Sequence, residues 1–237
     1  GEFGAKDTIP NAPMIVTLTR AGYVKRLSPT QFRAQHRGGK GVKGLTTKED
    51  DEVLSLLHTM NHDDMLYFTN TGRVFKAPVY ALPQAGRAAK GQAIVNFLQL
   101  QPGERITAIL KANLEGKTHL FMTTKMGCVK RTELKEFENI RRSGLIAQKL
   151  PKGDELQWVV ATSETDEVFL LTRKGKAIRF PESDVRAMGR AAAGVRGVRL
   201  GAGDVVVEAA AVSSPKTSRL LVVMENGLGK MTPVEQY

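Results

Sequence analysis

The sequence predicts an all-β fold: a ring of short four-stranded antiparallel blades. Three observations carry that expectation. One hairpin pattern returns five times at nearly fixed spacing. Each of the first four returns leads into a basic loop of small residues. Helical periodicity is almost absent along the chain.

The hairpin copies run from Val16 to Arg26, Leu66 to Lys76, Leu120 to Arg131, Phe169 to Arg179 and Leu221 to Lys230. In each, a short β-branched or aromatic run meets polar residues, then a glycine, then a second short run. The pivots are Gly22, Gly72, Gly127, Gly175 and Gly227, separated by 50, 55, 48 and 52 positions. Glycine after two polar residues fits a turn that closes in the left-handed conformation with a bulge.

Four residues past the pivot stand Arg26, Lys76, Arg131 and Arg179, with Met231 in the fifth copy. Lys25 and Lys130 sit one place earlier in two copies. An unpaired charge is untenable in a core, so these cations are expected to form a surface row.

The basic loops come next. The strongest is Gln35-His36-Arg37-Gly38-Gly39-Lys40-Gly41, followed closely by Lys43. Weaker copies are Arg87-Ala88-Ala89-Lys90-Gly91, Arg141-Arg142-Ser143-Gly144, and Arg190 to Gly197, which includes Arg196. Small residues let backbone N–H groups approach a ligand, and the cations favour an anion such as phosphate. Each repeat ends in a pair of apolar strands split by a turn, as at Pro102-Gly103, Lys152-Gly153-Asp154 and Ala202-Gly203-Asp204.

About four strands per repeat cannot cover their own apolar faces, so neighbours must stack. A ring of blades leaves only short, protected edges. A sandwich or a pair of small barrels is the rival. The expected repeats are about 14–63, 64–117, 118–165, 166–218 and 219–237, all in one domain from 13 to 237. Residues 1–12 read as a cloning scar and a linker. The fifth copy is expected to be incomplete. Either its remainder lies beyond Tyr237, or the strand near Met14 to Leu18 helps close the ring.

The chain has 237 residues and a formal net charge of +11, which points to a polyanionic partner. One cysteine, Cys128, excludes an internal disulfide framework and fits a reducing compartment. No apolar run approaches the length of a membrane span and no signal peptide opens the sequence, so cytosol is the default expectation.

Gly39 to Gly44 matches G-x-G-x-x-G, but neither a preceding apolar strand nor a following helix is apparent. A phosphate-binding NTPase loop fails at Leu45 and again at Gln92, where lysine is required. His58 and His62, beside Asp63 and Asp64, fall short of a convincing zinc set. Lys130 and Arg131 could lower the Cys128 pKa, yet no base is evident, so a small strand residue is the better reading. Trp158 is expected in the core. The run Glu49-Asp50-Asp51-Glu52 reads as a solvated turn.

The features that recur are binding features: glycine, arginine and lysine. Phosphate contacts of this kind are sequence-tolerant and weaken steeply with salt. Aromatics are scarce in the loops, which disfavours single-strand stacking. Duplex DNA bent along a basic track is the expected ligand.

Gln35 to Gly41 closely resembles the gyrase A box, and the chain from about Pro13 is similar to the C-terminal domain family of the DNA gyrase A protein, a type IIA topoisomerase family. His36 departs from the box's usual basic second residue. The resemblance implies a β-pinwheel of about five blades here, the last incomplete, with hairpins exchanging strands between neighbours. It implies positive wrapping of duplex DNA, which lets the whole enzyme introduce negative supercoils in an ATP-dependent reaction. The domain itself would be non-catalytic and would need no cofactor, ATP and Mg being used elsewhere in the enzyme. Its partners would be duplex DNA, the N-terminal part of the gyrase A protein and the gyrase B protein in an A2B2 assembly. The isolated domain is expected to be monomeric, cytoplasmic and nucleoid-associated. Alternatives are a topoisomerase IV C-terminal domain or a propeller-type protein-interaction module.

The expected DNA-contacting residues are those of the box, Gln35, His36, Arg37, Gly38, Gly39, Lys40 and Gly41, with Lys43. To them are added Lys25, Arg26, Lys76, Arg87, Lys90, Lys130, Arg131, Arg141, Arg142, Arg179, Arg190 and Arg196.

Overall fold

Each pivot glycine must turn the chain through a left-handed conformation, and the computed structural model shows how. It describes residues 4–33, 51–213, 219–223 and 229–233. Gly22, Gly72, Gly127 and Gly175 have φ between 81° and 87°. In each case the glycine N–H donates to the carbonyl of the threonine three residues earlier, Thr19, Thr69, Thr124 and Thr172, at 3.0 Å. The same threonine hydroxyl accepts the N–H just after the glycine, at 3.0–3.2 Å. A threonine and a glycine three apart thus close each of these four turns.

The strands are β1 (Pro13–Thr19), β2 (Tyr23–Leu27), β3 (Val53–Met60), β4 (Asp64–Thr69), β5 (Arg73–Pro78), β6 (Gln92–Ala93), β7 (Ile106–Lys111), β8 (His119–Thr124) and β9 (Cys128–Glu133). They continue with β10 (Leu145–Ile146), β11 (Leu156–Thr162), β12 (Glu167–Thr172), β13 (Ala177–Pro181), β14 (Val195–Arg196), β15 (Val206–Val212), β16 (Arg219–Val223) and β17 (Gly229–Pro233). Their sheet orders are β3-β1-β2-β6, β10-β5-β4-β7, β11-β8-β9-β14 and β13-β12-β15, with β16-β17 as a separate pair. The strand exchange is visible here. β6 belongs to the second repeat but pairs antiparallel with β2 of the first, and β14 of the fourth pairs with β9 of the third.

The fifth copy is described only at its hairpin. It contributes the two-stranded hairpin β16–β17, and a fifth blade is not shown. The described chain forms blades from four repeats.

Two compact units carry these sheets. The first is Gly1–Asn113 with Ile140–Leu145; the second is Leu114–Asn139 with Ile146–Tyr237. The first unit's core joins Val16, Leu18, Tyr67, Phe75, Ile94 and Ile109, among others. The second unit's core joins Phe121, Val129, Val168, Leu170, Val198 and Val206, and Trp158 packs against it half-buried. The inner hairpin strands β4 and β8 are buried on both faces apart from the half-buried Asp64. That is why they read as continuous apolar runs rather than alternating ones.

One acidic residue in each of the four repeats has a role that residue type alone did not announce. Asp51, Asp154 and Asp204 accept from the tip N–H groups of Ala21, Met126 and Lys174 at 2.8, 3.0 and 3.0 Å. Glu104 does the equivalent work through side chains: it accepts from Thr69 at 2.8 Å and Thr71 at 2.5 Å, and pairs with Arg73 at 2.8 Å. Of the acidic run Glu49 to Glu52, the two described residues, Asp51 and Glu52, both have partners. Asp51 latches the first hairpin tip, and Glu52 pairs with Arg20 at 2.7 Å.

Candidate nucleic-acid interface

The basic loops of the second and fourth repeats are Gly86-Arg87-Ala88-Ala89-Lys90-Gly91 and Gly189-Arg190-Ala191-Ala192-Ala193-Gly194. Both begin with the same turn: the N–H of Ala89 reaches the Gly86 carbonyl, and that of Ala192 the Gly189 carbonyl, each at 3.1 Å. Both end on a glycine pressed against the preceding repeat. A Cβ on Gly91 would lie 2.5 Å from the Val24 carbonyl oxygen, and one on Gly194 would lie 2.3 Å from that of Val129. With φ of 89° and 97°, only glycine fits there. The close approach lets β6 and β14 join the neighbouring sheet.

Lys25 and Lys130 sit inside these loops. The Lys25 ammonium donates to the carbonyls of Gly86, Arg87 and Ala89 at 3.1, 2.9 and 2.6 Å. That of Lys130 donates to Gly189 and Arg190 at 3.0 and 2.6 Å, and to Ala147. The side chains are almost or fully buried. Burial lowers the pKa of both, that of Lys130 to about 8. These two residues are corrections: their donors are committed to carbonyls and are not presented to a ligand. A buried ammonium is tenable because three acceptors match its three N–H bonds.

The expected surface row is also largely occupied. Arg26 donates to the Leu82 carbonyl and to Asn61, each at 2.8 Å. Arg131 donates to the Val185 carbonyl at 2.8 Å and lies 3.8 Å from buried Glu182. Both are half-buried pins from one repeat to the next. Lys76 faces Asp64 at 3.9 Å, and exposed Arg179 faces Glu167 at 3.5 Å. The row is thus a set of struts more than a bare charged track. Side chains alternate between the two faces of a strand, and in β2 and β9 one of those faces meets the following repeat, where the charges find partners.

Other predicted residues are placed outward. Lys90 is exposed, its ammonium 3.6 Å from the centre of the Tyr23 ring. Arg141, Arg142 and Arg196 are exposed, while Arg87 and Arg190 are half-buried. Arg190 donates weakly to the Ile146 carbonyl, at 3.4 Å. The first unit therefore brings Arg87 to the Lys25 anchor, with Lys90 over Tyr23, and the second brings Arg190 to the Lys130 anchor, with Arg196 opposite Cys128 in the β14–β9 pair. Gln35, His36, Arg37, Gly38, Gly39, Lys40, Gly41 and Lys43 lie outside the described residues, as do Glu49 and Asp50.

Cys128 departs from the expected effect of its neighbours. Burial raises its pKa foremost and the Asp154 charge adds to that, outweighing the Lys130 charge and the Gln148 hydrogen bond. The thiol is not an activated nucleophile. Among the described residues no group of three or more His, Cys, Asp or Glu could hold a metal ion. His62 instead contacts the Ile9 carbonyl at 2.7 Å. Also among the described residues, no helix is long and apolar enough to cross a membrane.

Comparison with known proteins also divides the chain into four segments. The family model described as "DNA gyrase C-terminal domain, beta-propeller" matches residues 13–59, 63–113, 118–163 and 166–213. The chain belongs to the DNA gyrase C-terminal domain family. Relatives include the DNA gyrase A protein of Escherichia coli K12, 44% identical over the whole chain, and that of Haloquadratum walsbyi, 40% identical over the whole chain. The chain spans 27% and 28% of those relatives' lengths.

Two solved structures are similar. The C-terminal domain of DNA topoisomerase IV has a TM-score of 0.78 at 31% identity, covering 97% of this chain and 70% of that one. The DNA gyrase A C-terminal domain has a TM-score of 0.70 at 30% identity, covering 92% and 71%. As a member of that family, the chain has an all-β, propeller-like fold. The family match begins at residue 13, the first residue of β1.

Proposed function

We propose that this chain binds and bends duplex DNA along its basic loops, wrapping it with positive handedness so that a complete gyrase can introduce negative supercoils. The observation that supports the reading best is the anchored loop. The same lysine-bound, glycine-closed loop is built twice, with exposed Lys90 beside one copy and exposed Arg196 beside the other. Bending a few tens of base pairs costs about 1–6 kcal/mol elastically, and several phosphate contacts can offset it. The domain needs no cofactor of its own. ATP, Mg and the cleavage chemistry belong to the remainder of the gyrase A protein and to the gyrase B protein, in the cytoplasm. The test is to relax a nicked plasmid with the chain bound and then seal it. Trapped positive writhe is the expected result, and an unchanged linking number would sink the wrapping claim.

The higher TM-score to topoisomerase IV favours a second reading, a domain that serves substrate choice more than wrapping. The two readings part at the box. Changing Arg37 and Lys40 to alanine in the full-length gyrase A protein, assembled with the gyrase B protein, is expected to abolish supercoiling while relaxation persists. A parent enzyme that relaxes DNA but introduces no negative supercoils even before the substitution would support the topoisomerase IV reading.

A further inference from the structure

Two buried lysines bear on binding although neither can reach a ligand. We infer that Lys25 and Lys130 are positioning residues for DNA binding. Each buried ammonium holds the next repeat's basic loop in its ligand-receiving shape without touching DNA. The inference rests on the DNA-binding reading above.

Four facts carry it. First, both ammonium groups are matched three-to-three by backbone carbonyls, and two acceptors in each set are the first two residues of the loop. A carbonyl cluster converging on one point is repulsive by itself and needs a cation at its centre. Second, the lysine and its loop lie about sixty positions apart, so the contact sets tertiary geometry and not a local turn.

Third, the cage fixes the loop cations through the backbone. Lys25 binds the carbonyl of Arg87, and Lys130 binds that of Arg190. Lys90 is one residue beyond Ala89, the last carbonyl held by Lys25. Fourth, the device alternates. In the second hairpin the equivalent position is Phe75, whose ring would lie 2.9 Å from a Cβ on Gly144, so that loop is backed by an aromatic ring. In the fourth it is Ile178. Lysine cages serve only the first and third hairpins among the described residues.

The test uses the 237-residue chain. Lys130→Ala removes all of the side chain beyond Cβ, a fragment equivalent to n-propylammonium. Duplex DNA affinity is measured over a salt series with and without n-propylammonium, with tetramethylammonium at equal ionic strength as the control. The expected result is an affinity loss on the order of tenfold, with a salt slope reduced by more than the roughly 0.9 of a single lost phosphate contact. Propylammonium should restore both, and the control salt should not. Lys130→Met fills the space without charge and should bind poorly with no rescue. Lys25→Ala repeats the experiment in the other unit.

A slope reduced by about 0.9 without rescue would show that Lys130 contacts phosphate directly, overturning the inference. Unchanged affinity in Lys130→Ala would overturn it equally. Hydrogen exchange at the Ala192 and Lys149 amides reads the cage without DNA, since both amides are hydrogen-bonded around this loop. Exchange that quickens in Lys130→Ala and slows again with propylammonium supports the cage, and exchange that is indifferent to the substitution refutes it. If the unsubstituted chain fails to bind DNA while the exchange result holds, the DNA reading fails and takes the positioning role with it, leaving only the cage.

Discussion

Glu104→Ala will cost the first unit about 3 kcal/mol or more, because it breaks a buried charged network from the acceptor side. The Glu104 side chain is fully buried, and that of its partner Arg73 is 19% exposed. Removing the carboxylate strips acceptors from the hydroxyls of Thr69 and Thr71 and from the N–H of Gln101. It also leaves the Arg73 guanidinium without its ion pair, although the Ser143 carbonyl still accepts from it at 2.5 Å. The orphaned donors matter more than the lost bonds, since a buried unsatisfied donor keeps its full desolvation cost. A thermal melt should fall by on the order of 10 °C for a chain of this size. Faster hydrogen exchange should centre on the Gly72 turn, and an unchanged melt would refute the network's role.

The same residue sets a pH dependence. Burial pushes the Glu104 carboxyl up, but hydrogen bonds from Thr71, Gln101 and Thr69 and the charge of Arg73 outweigh it and hold the group below its ordinary value of 4.5. The folded form therefore binds its proton more weakly than the unfolded chain does. Its contribution is fully present above pH 4.5 and is lost as the pH falls through the depressed value. In Glu104→Ala this acid limb of the stability curve should flatten.

Gly194→Ala should be the most damaging single-methyl change at the candidate interface. The new Cβ would sit 2.3 Å from the Val129 carbonyl oxygen and 3.2 Å from the Lys130 Cβ. Its neighbour is backbone inside β9, which cannot swing aside as a side-chain tip would. The left-handed φ of 97° adds about 1–2 kcal/mol of strain. The alanine must therefore push β14 off the edge of β9, where Val195 faces Val129. The Gly175 position separates the two effects. It has φ of 87° but nothing within 4 Å of a Cβ, so Gly175→Ala should cost only the strain. Gly194→Ala is expected to lower the melt by several times as much and to weaken DNA binding at least tenfold, a loss of about 1.4 kcal/mol. Equal effects at the two glycines would show that the close approach is unimportant.

Much of the fold was legible because its signals are local. The pivot glycines read as left-handed turn closers, and the structure places the four described ones there. Strand identity followed from β-branched and aromatic runs. The threonine three residues before each described pivot was equally readable, at Thr19, Thr69, Thr124 and Thr172, but went unused. The latching acids Asp51, Glu104, Asp154 and Asp204 recur at about fifty-residue intervals and could have been found by the same count. Aligning the repeats on acids as well as on glycines is the signal that would have revealed them.

The candidate site was legible in its parts and not in its roles. Lys25 and Lys90 are both lysines near glycines, yet one is buried among carbonyls and the other lies exposed over Tyr23. Arg131 and Arg196 look alike in sequence, but one pins Val185 and the other is exposed.

The sequence by itself determined the repeat, its hairpins, its basic loops and the family to which they belong. All of these depend on residue type at short spacing. Only the tertiary structure decided which cations hold the blades together and which face outward. The physical reason lies in the acceptors. The groups that bind Lys25 and Lys130 are main-chain carbonyls, which every residue carries and no residue type announces. Their convergence exists only after strands some sixty residues apart have paired.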